Sequence, residues 1–252
     1  MIYNTNSPAR GPRSTAAFTM VEIVLSLSVI AIAMVAIIGV LPLGMNVQTE
    51  NRETSIINTD AGIWIEAIRG GAQDIRYLTN FVMEVRVDET RRNAADGSLI
   101  TETTDYLNSF TTASNLVGIL SYPKFRLEDN GNVTVERHVY ADVRAMNGNM
   151  GDLIADDDFA FNYRLTPELV PKLPVSNAPY QSIMRTNLYE LRMNFAWPLV
   201  VGQGGGYRLQ SRFSKDITFR TLVSGNQLMF DNPDKPAMPL RFVDPRHYVT
   251  QP

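Results

Sequence analysis

The sequence predicts an α+β chain, in which one long N-terminal α-helix precedes a predominantly antiparallel β head. Three patterns carry this. After Glu22 no charged residue occurs until Glu50, and Ile23 to Val40 reads IVLSLSVIAIAMVAIIGV. Past Pro42, apolar residues recur at helical spacing as far as Gly70-Gly71. Beyond those glycines the spacing changes to alternation, with turn signals between the runs.

The chain opens with Met1 to Ala17, which contains Arg10 and Arg13 and no acid. Such a flank stays cytoplasmic, because positive charge resists translocation. Residues 18–43 follow, long and apolar enough to cross a hydrocarbon core of about 30 Å. A secretory signal would have a shorter apolar region, about 7 to 15 residues, with a small-x-small cleavage site behind it. Ala31-Ile32-Ala33 has that form but lies inside the run, followed by MVAIIGVLPLG rather than a polar stretch. The choice narrows to a plain signal anchor or a leader removed before the apolar run.

Ala17-Phe18-Thr19-Met20-Val21-Glu22, behind a short basic leader and ahead of some twenty apolar residues, resembles the amino terminus of type IV prepilins and type II secretion pseudopilins. Ile38-Gly39-Val40-Leu41-Pro42-Leu43-Gly44 also looks like the pseudopilin-type cassette proteins of Verrucomicrobia. The resemblance covers the leader and the span, not the head. It implies a pilin-like fold and a cut between Ala17 and Phe18 by a membrane-embedded prepilin peptidase, which methylates the new amine. Where that family usually has Gly before the cut, this chain has Ala17.

The resemblance also implies an assembly role for Glu22, paired with the freed Phe18 amine of a neighbouring subunit, neutralising both charges and fixing the axial register. From the residues themselves two readings stay open. A carboxylate at membrane-centre depth costs about 2.5 to 3.5 kcal/mol and marks a functional hypothesis. Glu22 is also only one turn from Phe18, close enough for its side chain to snorkel to the interface.

The second half of the helix is amphipathic. Val47, Ile57, Ala61, Trp64, Ile65 and Ile68 share one stripe, with Glu50, Arg52, Glu53, Glu66 and Arg69 at polar positions. From Phe18 to Arg69 this makes 52 residues, roughly 78 Å of helix. Pro42 should bend it, since the ring removes a donor and clashes with the preceding turn. The Trp64 stripe reads as a core face against the following sheet rather than as a ligand surface.

Strands are read at Phe81 to Val87, Val133 to Val143 and Leu188 to Phe195, with a looser run from Tyr207 to Phe219. Asp129-Asn130-Gly131-Asn132 marks a turn. Gly202-Gln203-Gly204-Gly205-Gly206 reads as a hairpin loop, because no helix pattern and no Lys-Ser/Thr pair follows to make a phosphate cradle. Asp88 to Asp105 is charged and contains Gly97, and reads as a loop or irregular excursion. The tail, with Pro233, Pro236, Pro239, Pro245 and Pro252, is expected to wrap the head as extended chain or stay mobile.

Composition limits the functions open to the head. Removing Arg10 and Arg13 from 23 basic residues leaves 21 against 26 acidic ones, a charge of about −5, which disfavours a nucleic-acid groove. Cysteine is absent, so no disulfide is involved. Only His138 and His247 occur, without metal-ligand spacing, and there is no Gly-x-Ser-x-Gly elbow. Asp152 with Asp156-Asp157-Asp158 is the one oxygen-rich cluster, but it lacks the alternate spacing of a calcium loop and reads as a solvated turn. No catalytic, cofactor or metal residue is assigned.

The chain therefore divides into a leader (1–17), a transmembrane and filament-core helix (18–43), an amphipathic helix packing on the head (44–70) and a β-rich head with a Pro-rich tail (71–252). The resemblance makes it a non-enzymatic minor pilin or pseudopilin-like subunit. Its expected partners are prepilin peptidase, other pilin subunits and inner-membrane lipid. It would be a single-pass protein with a cytoplasmic N-terminus and a head on the periplasmic or extracellular side. Two alternatives stand beside it, an anchored adhesion or DNA-uptake module and an anchored enzyme.

Overall fold

A single 50-residue helix, α1 (Met20–Arg69), begins the structure, and both of its ends have local causes. Thr19 starts it, accepting the Glu22 amide N–H on its carbonyl oxygen at 3.0 Å and on Oγ1 at 3.3 Å. At the other end Gly71 adopts φ +70°, the left-handed conformation that glycine enters without strain. A Cβ at Gly71 would also lie 2.9 Å from the Val243 carbonyl oxygen. The computed structural model describes residues 18–71, 76–146, 161–173, 178–202, 206–210, 214–236 and 238–250, except the side chains of 41–46, Arg76 and Pro179. The helix passes Pro42 without ending, while the expected bend falls among 41–46, outside the described side chains.

The chain forms two units, divided between Arg52 and Glu53. In the first, α1 from Met20 to Val40 is long and apolar enough to cross a membrane, with none of it buried. Val47, expected on the amphipathic stripe, is 56% exposed and belongs to this unit rather than to the core.

In the second unit, β1 (Val82–Asn93), β2 (Leu99–Leu107), β3 (Phe125–Glu128), β4 (Val133–Arg144), β5 (Asn162–Pro171), β6 (Leu188–Trp197) and β9 (Lys215–Ser224) form a seven-stranded sheet among the described residues. Its order is β2-β1-β4-β5-β6-β9, with every ladder antiparallel. β4 has a divided edge, on which β3 occupies Val133 to Glu136 and β5 occupies Ala141 to Arg144. The sheet forks between them, where the Lys124 N–H bonds Leu169 O at 2.9 Å and the Arg137 N–H bonds Lys124 O at 2.8 Å.

Alternation sets the core. Val85 and Val87 of β1, Val139, Ala141 and Val143 of β4, Tyr163, Leu165 and Leu169 of β5, and Leu191, Met193, Phe195 and Trp197 of β6 make one buried cluster with Ile57, Ala61, Trp64 and Ile68 of α1. The stripe from Ile57 onward is thus a core face.

Three expectations are corrected. Asp88 to Asp105 is not a loop, because β1 continues to Asn93 and pairs with β2 from Val85↔Leu107 to Arg92↔Leu99. Its turn is built by side chains. Asn93 Oδ1 accepts the Ala95 amide, Asp96 Oδ1 accepts the Ser98 amide, both at 2.9 Å, and Gly97 takes φ +72°.

Tyr207 to Phe219 is not one run. It divides into β8 (Tyr207–Leu209), which pairs with β7 (Leu199–Val201) in a two-stranded sheet, and β9. Of the glycine loop between β7 and β8, residues 203–205 lie outside the described part. The tail is neither loose nor merely extended. β10 (Asn226–Phe230) and β11 (Leu240–Asp244) form a hairpin with Leu240, Phe242 and Val243 buried. Two helices escaped the sequence reading, α2 (Ala113–Leu120) and α3 (Pro179–Asn187). α2 packs so closely on β11 that a Cβ at Gly118 would stand 2.8 Å from the Phe242 ring.

Candidate functional site

The N-terminal candidate begins with the helix start. Phe18 is 75% exposed and Glu22 is exposed in the first turn. Thr19 and Glu22 stand at capping-box spacing, and the Thr19 half of the box is formed. A carboxylate there also meets the positive end of the helix dipole. No side-chain partner for Glu22 occurs among the described residues, and Ala17 lies outside them. The apolar residues that follow present their side chains outward on every face, from Met20 at 82% exposure to Ile30 at 52%.

Within the second unit two polar groups anchor the helix. Asp60 is fully buried; its Oδ2 accepts the Tyr163 hydroxyl at 3.1 Å and the Met146 amide at 3.0 Å, while the Tyr163 oxygen accepts the Trp64 indole N–H at 2.9 Å. Burial and the Asp60 charge push the Tyr163 phenol well above its ordinary range, so it stays a donor. One turn or more earlier, Glu53 Oε2 accepts the Trp197 indole N–H at 3.0 Å and the Lys215 ammonium at 3.2 Å. These networks tie helix to sheet.

The outward face of the sheet is different in kind. Alternation that turns Val85 and Val87 inward turns Glu84, Arg86 and Asp88 outward, and on β4 it does the same for His138, Tyr140 and Asp142. Two depressions meet at Tyr140. One, of about 180 Å³, is lined by Glu84, Arg86, Tyr106, Asp142, Arg164 and Tyr207 as well as Tyr140. Arg164 grips Asp142 with two hydrogen bonds, 2.7 and 2.9 Å, and Arg86 lies over the Tyr140 ring at 4.4 Å from its centroid.

The second depression, about 400 Å³, opens across the fork and takes in His138, Thr166, Glu168, Arg192, Asn194 and Arg220. Glu190 beside it is held down to about 2 by hydrogen bonds from Arg192 and Lys172. This face offers flat aromatic surface and hydrogen-bonding groups of both signs. These are groups that can meet a polar ligand. Its signal was present in the strand alternation, in the polar residues opposite each apolar one.

Neither histidine is paired with a nucleophile among the described residues. His138 shares a 3.1 Å contact with Glu136 and stacks on Tyr140, and His247 Nδ1 lies 2.7 Å from Asp244. No group of three or more His, Cys, Asp or Glu is placed to hold a metal among the described residues. Asp152 and Asp156 to Asp158 lie outside them.

Compared with protein-family models, with curated proteins and with solved structures, the chain has no match in any of the three.

Proposed function

We propose that this chain is a pilin-like or pseudopilin-like subunit, processed between Ala17 and Phe18 by a prepilin peptidase and assembled into a filament through its N-terminal helix. The supporting observation is the helix itself. One continuous α1 has an apolar first part exposed on all sides and a second part whose Ile57, Trp64 and Ile68 are buried in a β head. A helix that is apolar all round must be covered by something; lipid before assembly and neighbouring copies afterwards both meet that need. In this reading Glu22 is the counter-ion of a neighbour's Phe18 amine, and the chain is single-pass in the inner membrane with its head on the periplasmic or extracellular side. It performs no catalysis.

Mass spectrometry of the amino terminus of the mature protein, from cells carrying the peptidase, tests this. The expected first residue is Phe18, N-methylated. An intact Met1, or a terminus near Met34, sinks the reading.

A second reading, an anchored binding module, is favoured by the Tyr140 face. Tyr106 and Tyr140 there form an aromatic patch, set among the charges of Glu84, Arg86, Asp142 and Arg164, of the sort an adhesion module carries. The two readings are compatible, since a filament subunit can carry a binding head.

A further inference from the structure

A second concentration of charge lies on the other face of the fork, away from Tyr140. Positions 135, 137 and 139 of β4 point to the buried side, and Val135 and Val139 fill two of them. The third is Arg137, its side chain 6% exposed. Beside it stand Tyr122, just past α2, and Arg241 of β11, each more than nine-tenths buried. Arg137 lies over the Tyr122 ring, 5.2 Å from its centroid.

Counting partners shows an imbalance. Glu89 takes Arg137 Nε at 2.5 Å and Arg91 Nε at 2.7 Å. Glu128 takes Arg126 at 3.3 Å and stands 3.6 Å from Arg91 and 3.9 Å from Arg137. Two carboxylates thus serve three guanidiniums, and Arg241 forms no ion pair among the described residues, with Glu128 acting on it only as a nearby charge. Its Nη2 points instead at the Met229 sulfur, 3.2 Å away, a weak acceptor.

Of the buried polar atoms without a partner among the described residues, three belong to this cluster: the Tyr122 hydroxyl, Arg137 Nη1 and Arg241 Nε. An unmet buried donor costs about 1 to 3 kcal/mol, more if charged. Each such group calls for a partner not yet counted, a water or an ion among them.

We propose that Tyr122, Arg137 and Arg241 bind a small oxyanion, the shared chemistry of phosphate, sulfate and carboxylate groups. Two guanidiniums with an excess of positive charge and one phenol offer the donors such an anion needs, and guanidinium suits planar and tetrahedral oxygens alike. Burial, and then the nearby charges of Arg126 and Arg137, lower Arg241 to about 10, as expected of a cation short of counter-charge. Burial raises the Tyr122 phenol above its ordinary value, which keeps the proton on it. The site is independent of any role in filaments.

The test uses the full chain in detergent micelles, with thermal unfolding followed in sodium chloride, phosphate, sulfate or acetate at matched ionic strength. A ligand bound only by the folded state raises Tm with concentration. The parent protein should gain stability with an oxyanion but not with chloride. Phosphate or sulfate acting alone identifies a tetrahedral group, and acetate acting alone a carboxylate.

Arg241→Met should raise Tm in chloride, by removing an uncompensated buried charge, and should weaken the oxyanion response at least tenfold. The two melting curves therefore cross as oxyanion is added. Tyr122→Phe, which removes one hydroxyl, should weaken the response without abolishing it. Equal response of the parent to chloride and to every oxyanion overturns the proposal. So does an Arg241→Met response equal to the parent's.

Discussion

The two parts of α1 differ in what covers them. From Met20 to Val40 the helix is 0% buried; from Ile57 to Ile68 the same helix contributes fully or almost fully buried apolar side chains to the head, Ile57, Ala61, Trp64, Ala67 and Ile68. Each part also carries a carboxylate. Glu22 has no side-chain partner among the described residues, whereas Asp60 is fully buried and accepts Tyr163 and Met146. The difference teaches that helical structure is not what the second part contributes. It contributes a face, and the first part contributes a surface still to be covered.

Truncating each part in turn gives the largest contrast. Trp64→Ala removes a fully buried indole and orphans the Tyr163 oxygen, which should cost about 3 to 5 kcal/mol. Leu25→Ala, at a position 65% exposed, should leave head stability within about 0.5 kcal/mol. Urea unfolding of the full chain in micelles, followed by tryptophan fluorescence for Leu25→Ala and by circular dichroism for both, measures it. A large loss from Leu25→Ala would mean that the first part helps to hold the head.

How much of this was legible depends on whether one face or two are buried. The span and the stripe from Ile57 announce themselves by hydropathy and period, and β1, β4 and β6 by alternation. α2 does not, because nearly every residue from Ala113 to Leu120 is buried and no period is left. Only Thr112 marked it, as the N-cap whose Oγ1 accepts the Asn115 amide at 3.3 Å. β5 was hidden by Pro167, which reads as a strand breaker. It is tolerated beyond the stretch where β5 pairs with β4, on the fork. The charged hairpin of β1 and β2 looked like a loop because an edge strand needs little apolar content; polar edges discourage pairing with other chains. The Tyr140 face is legible by position, as the polar side of an alternating strand. Arg137 was equally visible, a charge on the buried side of an alternating strand.

The carboxylates sharpen the comparison at the next level. Asp60→Leu should destabilise the head by about 1 to 3 kcal/mol for each donor it leaves unmet, with little effect on membrane insertion. Glu22→Leu should do the reverse: head stability is unchanged and insertion is unimpaired or improved. On the proposed filament role, incorporation into filaments should nevertheless fall, because a neighbour's amine would enter an apolar core without its counter-ion. The readout is the fraction of subunit in sheared or crosslinked assemblies at equal membrane levels. Glu22 also occupies the first turn beside the Thr19 cap, so Glu22→Gln is the informative partner, removing charge while keeping shape. Full assembly of both variants would reduce Glu22 to a capping or snorkelling residue.

The smallest effect is expected from a third carboxylate, held neither by lipid depth nor by a distant strand but by its own neighbours. Asp244 ends β11; its Oδ1 accepts the Arg246 amide at 2.9 Å and the Arg246 guanidinium at 3.2 Å, and Oδ2 meets His247 at 2.7 Å. Those contacts, led by the Arg246 amide, lower its carboxyl from 3.8 to about 2. A depressed folded-state value means that the contribution is complete above about pH 5 and is lost as pH falls through the folded value. Arg246 and His247 are largely exposed, 77% and 63%, so screening keeps the effect small. The Tm of Asp244→Asn should therefore lie slightly below the parent's at neutral pH, and the two should converge only below about pH 2, where the parent's carboxyl is also protonated. The asparagine oxygen can still accept the Arg246 amide, so the hairpin itself should persist. A gap that stays constant across the acid range would show that Asp244 acts through packing alone and that its charge contributes nothing to holding the tail.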